Sequence, residues 1–155
     1  MGESVKLLIV CSGNICRSPM AEAMARREAA DRGFGVEVRS GSTLMFEGDP
    51  AHPHAVAAMA EWGTDISGHR TAPLTVEMIR WADYILVMED YHIRHIRARV
   101  PDIGREPVIL ARFVGKTEID DPIQNPTLRA FRSCRDELKR CIEAFFEATL
   151  GSPLD

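Results

Sequence analysis

A chain of 155 residues has room for one domain with a sizeable core and too little for two, so a single domain over residues 1–155 is expected. Apolar residues at 45% and charged residues at 27% match an ordinary globular protein and exclude the disordered, fibrous and membrane classes. Lys and Arg number 19 against 23 Asp and Glu, and the net charge of -4 provides no basic field for a nucleic-acid backbone or an anionic membrane. Any anion must therefore be recognised locally.

The run Val5–Val10 is far shorter than a signal-peptide core with its flanks, and no apolar stretch approaches a membrane span, which makes the cytoplasm the default compartment. The same run suits a strand buried on both faces of a parallel sheet. After Cys11, the pair Ser18-Pro19 reads as a helix N-cap and first helical position, opening an Ala-rich helix that Gly33 and Gly35 end. Val36–Arg39 alternates as a second strand before the turn-rich Ser40-Gly41-Ser42-Thr43. Apolar residues recur at helical spacing from His54 to Trp62, and a short helix capped by Thr75 leads into a strand at Tyr84–Met88. A polar helix is expected over Asp90–Arg99, its His92–Arg99 stretch forming a solvated face, and then a brief strand at Val108–Leu110. Gly115–Pro126 reads as a loop, and Leu128–Ala148 as a closing helix with one apolar stripe. Trp62 and Trp81 read as core residues. Alternation of strands and helices implies an α/β fold, a small doubly wound four-stranded parallel sheet with helices on both faces. Ligands then bind beyond the carboxyl ends of the strands, where the segment Cys11–Ser18 lies.

That segment, Cys11-Ser12-Gly13-Asn14-Ile15-Cys16-Arg17-Ser18, carries the chemistry. A loop of this length between a strand and a helix can aim successive N–H groups and the helix N-terminus at one centre, forming an anion nest. Gly13 and Asn14 are residue types that enter left-handed backbone conformations readily. Arg17 presents a planar fork suited to two phosphoryl oxygens. Cys11 lies in the same field, which favours its nucleophilic thiolate, and Ser18 is placed to hydrogen-bond that sulfur. A Walker loop and a dinucleotide fingerprint are excluded, because the loop has one glycine and no lysine. Departure of an alcohol from phosphorus needs an acid. Asp121-Pro122 is the best candidate, since proline holds the preceding residue extended and can project its carboxylate. His52-Pro53-His54 lacks a Cys or carboxylate at ligand spacing and reads as a surface turn.

Val10 through Pro19, Ser40 through Thr43, Ser67-Gly68-His69-Arg70 and Asp121-Pro122 before a terminal helix resemble the low-molecular-weight protein tyrosine phosphatase family over nearly the whole chain. The resemblance implies a flavodoxin-like strand order and a phosphocysteine intermediate on Cys11. It further implies phosphate held by Arg17 and the loop residues Ser12, Gly13, Asn14, Ile15, Cys16 and Ser18, with Asp121 as acid and then base. Asn14, Ser40 and His69 match a supporting hydrogen-bond network, and Cys16 matches a second loop cysteine able to form a reversible disulfide with the nucleophile. No metal or organic cofactor is implied. The expected partners are phosphotyrosine-containing proteins, met by a monomer that engages neither nucleic acid nor membrane.

Ile123 and Gln124 stand where members of the family often carry two tyrosines, and Phe46 stands where the mouth often has Trp or Tyr. Ile15 differs from the Thr of a branch resembling bacterial phosphoarginine phosphatases and favours an aryl phosphate. Arsenate reductases on the same scaffold use further cysteines in a mobile central segment, whereas Cys134 and Cys141 lie in the closing helix. These two are about 10 Å apart along a helix axis, too far for a disulfide, and read as packing residues. A protein arginine phosphatase, an arsenate reductase and a silent phosphate-binding module are the alternatives.

Overall fold

A computed structural model describes residues 4–150 of the chain. Four parallel strands, β1 (Val5–Cys11), β2 (Val36–Ser42), β3 (Tyr84–Val87) and β4 (Val108–Ile109), form one sheet in the order β2-β1-β3-β4, the flavodoxin-like arrangement. The central run Leu7-Leu8-Ile9-Val10 is fully buried, as a strand covered on both faces requires. Connections run outward from β1 to β2 and in the opposite direction from β3 to β4, so right-handed crossovers put α1 (Arg17–Arg32) and α4 (Asp90–Arg99) on opposite faces. The closing helix α5 (Leu128–Phe145) packs on α1 and on α2 (Pro53–Ala60), while α3 (Val76–Trp81) contacts β1.

β2 runs three residues beyond its sequence reading, to Ser42, because the register pairs it with the whole of β1, from Val5 against Val36 to Cys11 against Ser42. A Cβ at Gly41 would lie 3.2 Å from Leu74 Cα, so glycine allows the Leu74 segment to lie against this strand. Thr75 caps α3 as expected, accepting from Met78 N at 3.1 Å. Helix α5 leaves α-helical geometry after Phe145, earlier than the expected Ala148.

Three expectations need correction. Trp62 is 36% exposed, lying beneath the Arg135 guanidinium at 4.2 Å instead of in the core. Trp81 is only half-buried, under Arg39. The stretch His92–Arg99 is not a uniformly solvated face, since His92 and Ile96, one helical turn apart, are fully buried. His52-Pro53-His54 opens α2, with Pro53 exposed and both histidines half-buried: His52 caps the helix by accepting from His54 N and stacks on Phe131. Cys134 and Cys141 are buried packing residues, and burial pushes their thiols up to about 12 and about 11.

Candidate active site

The turn from β1 to α1 places Cys11 at the carboxyl end of a central strand and bends the chain back through Asn14, whose φ is 58°. Gly13 stays outside the left-handed region. Its lack of a Cβ matters differently, because one built there would meet Ile15 Cγ1 at 3.4 Å and the Phe46 ring at 3.5 Å. Ile15 and Phe46 thus converge on one side of the loop, and Phe46 is 40% exposed.

Cys11 Sγ, almost fully buried, lies 2.9 Å from Ser18 Oγ and accepts from Asn14 N at 3.2 Å. Asn14 Nδ2 donates to Ser18 Oγ at 2.7 Å and to Ser40 Oγ at 2.9 Å, leaving the Ser18 hydroxyl hydrogen available to the sulfur. Asn14 Oδ1 accepts from Ala72 N at 3.0 Å, and the Asn14 carbonyl accepts from His69 Nε2 at 2.7 Å. The expected group Asn14, Ser40 and His69 is therefore one connected network, and Asn14 ties Ser18 into it as well. Ser18 is inside the helix and does not cap it; α1 starts at Arg17, and Cys16 precedes it without a side-chain cap.

Arg17 is 1% exposed, and its charge is matched on several sides. Nη1 donates to Glu89 Oε2 and to the Ile119 carbonyl, both at 2.7 Å, and Nη2 faces Asp121 Oδ2 at 3.4 Å. Burial opposes its charge, but Cys11, Asp121 and Glu89 outweigh that cost and hold the guanidinium above its ordinary value. Asp121 has the extended backbone that Pro122 imposes, and its other oxygen accepts from Ile123 N at 3.1 Å, fixing the carboxylate over the loop. Asp120 is exposed to solvent. Cys16 is buried, and burial, followed by the charges of Asp121, Cys11 and Cys134, keeps its thiol protonated far above the ordinary range.

Sequence reasoning missed Glu89, Tyr91 and His92. All three follow β3, the strand paired directly with β1, and this adjacency carries them to the loop. It also missed Glu22, which accepts from Ser40 Oγ at 2.5 Å and extends the network to the helix surface. The carboxyl end of a strand neighbouring β1 was the available signal for Glu89, since ligand sites of such sheets collect residues there.

A buried thiol among N–H and O–H donors, a charge-matched arginine and a fixed carboxylate, gathered where the strand order reverses, fit transfer of a phosphoryl group through sulfur. Comparison with known proteins agrees. The family model "Low molecular weight phosphotyrosine protein phosphatase" matches residues 6–152, and the chain belongs to that family. It is 39% identical over 139 residues, 90% of this chain and 92% of the relative, to the "Probable low molecular weight protein-tyrosine-phosphatase EpsP" of Ralstonia solanacearum. It is 36% identical over 144 residues, 92% of this chain and 94% of the relative, to a "Protein-arginine-phosphatase" of Geobacillus stearothermophilus. A solved low molecular weight protein tyrosine phosphatase from T. tengcongensis superposes with a TM-score of 0.86 at 33% identity, covering 94% of this chain and 99% of that one. Among the described residues no helix is long and apolar enough to cross a membrane.

Proposed function

We propose that this single-domain protein hydrolyses phosphotyrosine monoesters in proteins, in two in-line steps on Cys11. Sulfur attacks phosphorus, forming the S–P bond as the P–O bond to tyrosine breaks, and Asp121 delivers a proton to the departing oxygen. Water then attacks phosphorus while Asp121 takes its proton, and Cys11 leaves as a thiolate that the Ser18 hydroxyl stabilises. Arg17 and the amides of residues 12–18 hold the phosphoryl oxygens throughout. The observation that carries the reading is the Ser18-to-Cys11 contact of 2.9 Å beside an Arg17 that Glu89 and Asp121 hold in place.

The preference for tyrosine over arginine rests on Ile15 and Phe46. Both are apolar and both border Gly13, so this side of the mouth suits an aromatic ring better than a guanidinium. One of the relatives named above is an arginine phosphatase, which keeps that activity as the second reading.

Purified protein assayed on an aryl phosphate provides the test. Cys11→Ser and Arg17→Ala reduce turnover to near background, and Asp121→Ala lowers kcat by about 10²–10⁴ while Asp120→Ala stays close to wild type. Near wild-type turnover in either of the first two sinks the mechanism, and equal loss in the two aspartate variants reassigns the acid. A parallel comparison of kcat/KM for phosphotyrosine and phosphoarginine peptides, with Ile15→Thr alongside, decides the substrate class. A phosphoarginine preference in the wild type overturns the tyrosine reading.

A further inference from the structure

The helix after β3 sends two polar side chains onto the residue next to the nucleophile. Ser12 Oγ lies 3.0 Å from His92 Nε2, and Tyr91 Oη donates to Ser12 Oγ at 3.1 Å. His92 is fully buried, and its other ring nitrogen, Nδ1, accepts from Met88 N at 3.3 Å and from Glu89 N at 3.1 Å. A nitrogen facing two N–H donors carries no hydrogen, so the ring proton of the neutral imidazole sits on Nε2. His92 is therefore the donor to Ser12. Tyr91 Oη is in turn 2.7 Å from Thr43 Oγ1, which donates to it when the phenol hydrogen is committed to Ser12.

These contacts fill both acceptor positions of the Ser12 oxygen. Its own hydrogen has no acceptor among the described residues, and Ser12 is half-buried beside the anion loop's centre. A serine whose lone pairs are both occupied can act only as a donor. We propose that Tyr91 and His92 are positioning residues that hold the Ser12 hydroxyl as a preset donor to an oxygen of the bound phosphoryl group. Neither needs to touch the substrate. The proposal rests on the phosphatase reading only in supposing that the loop binds a phosphoryl group; it needs no particular leaving group.

Burial, with the Arg17 charge second and His95 third, depresses His92 to about 3, so the donor arrangement is unchanged through neutral and mildly acidic pH. A protonated ring would turn an N–H towards the Met88 and Glu89 amides and disrupt it.

A double-mutant cycle between Tyr91 and Ser12 separates positioning from packing. The readouts are the dissociation constant of inorganic phosphate by calorimetry and kcat/KM for an aryl phosphate. Ser12→Ala weakens phosphate roughly tenfold, as expected for loss of a hydrogen bond to a charged group. Tyr91→Phe removes only an oxygen, lowers the melting temperature modestly because Thr43 loses its partner, and weakens phosphate about threefold to fivefold through lost orientation of one hydrogen bond. In the Ser12→Ala background, Tyr91→Phe has no further effect. His92→Gln offers a second route, because a glutamine amide N–H can replace Nε2 as donor, whereas His92→Leu cannot supply one. The glutamine variant retains most of the phosphate affinity, and the leucine variant weakens phosphate by about threefold or more but by no more than Ser12→Ala does.

Equal effects of Tyr91→Phe in both backgrounds, or unaltered phosphate binding in Ser12→Ala, overturn the proposal. Phosphate binding with the predicted coupling but no hydrolysis of any aryl phosphate supports the proposal and sinks the catalytic reading. Hydrolysis with purely additive effects does the reverse.

Discussion

Asn14 joins backbone strain to hydrogen bonding at one position. It is fully buried, holds φ at 58°, and spends its whole side chain on Ser18, Ser40 and Ala72. The left-handed backbone costs an ordinary residue about 1–2 kcal/mol, and a buried donor left without a partner costs about 1–3 kcal/mol more. Asn14→Ala incurs both penalties, since the Ala72 amide loses its acceptor. Asn14→Gly incurs only the second. Urea unfolding is expected to show the alanine variant destabilised by about 3 kcal/mol and the glycine variant by about 1 kcal/mol less. Equal losses would mean that backbone conformation is not what selects this residue. The conformational role of Asn14 was legible from its residue type. Its links to Ser40 and Ala72 were not legible from spacing, because Ser40 reaches the loop through the pairing of β2 with β1 and Ala72 through a segment that bridges to Ser42 at Pro73.

Helix starts show why local signals carry unequal weight. Thr75 and Ser18 look alike in sequence, each a hydroxyl residue ahead of a helical stretch, yet only Thr75 caps. Ser18 is drawn into the first turn because its hydroxyl meets Cys11 and Asn14 instead. Substitution separates the two roles. Thr75→Ala is expected to lower the unfolding free energy by about 1 kcal/mol with aryl phosphate turnover unchanged. Ser18→Ala should lower kcat by roughly 10²–10³-fold, the loss expected when one preorganised donor to a developing charge is removed. If the two variants exchanged these effects, the distinction between cap and site residue would be wrong. Helix α4 was harder to read for a related reason. Its four-residue spacing from His92 through Ile96 to Val100 marks a buried stripe, but arginines at 94, 97 and 99 surround the stripe with charge and mask it. Histidine on such a stripe looks solvated until the strand beside it is known.

At the scale of the molecule, β1 and β3 are neighbours from which the chain departs in opposite directions, and the crevice between their carboxyl ends collects Cys11, Arg17, Glu89 and His92. Strand count and the position of the loop were readable from alternating patterns, because each depends on local periodicity, whereas the strand order came only from the family resemblance. The supporting residues after β3 depended on which strands pair, which no local pattern encodes. This geometry has a consequence for stability. His92 titrates near 6.5 when unfolded but is held at about 3 in the fold, by burial first and by the Arg17 charge second, with His95 adding to the same effect. Above pH 6.5 both states leave the ring neutral and its full contribution to stability is present. As the pH falls from 6.5 towards 3, the unfolded chain binds a proton that the folded chain refuses, so stability declines. The slope approaches about 1.4 kcal/mol per pH unit for one such group. His52 and His95, also depressed chiefly by burial, steepen the decline in the same direction. Urea unfolding of the wild type and of His92→Gln at pH 7 and pH 5.5 isolates the contribution of this ring. The wild type is expected to lose about 1–2 kcal/mol more than the variant across that interval, which lies above the range where carboxylates titrate. Parallel losses would show that His92 accepts a proton in the folded state, and would remove the basis for treating its Nε2–H as a permanent donor to Ser12.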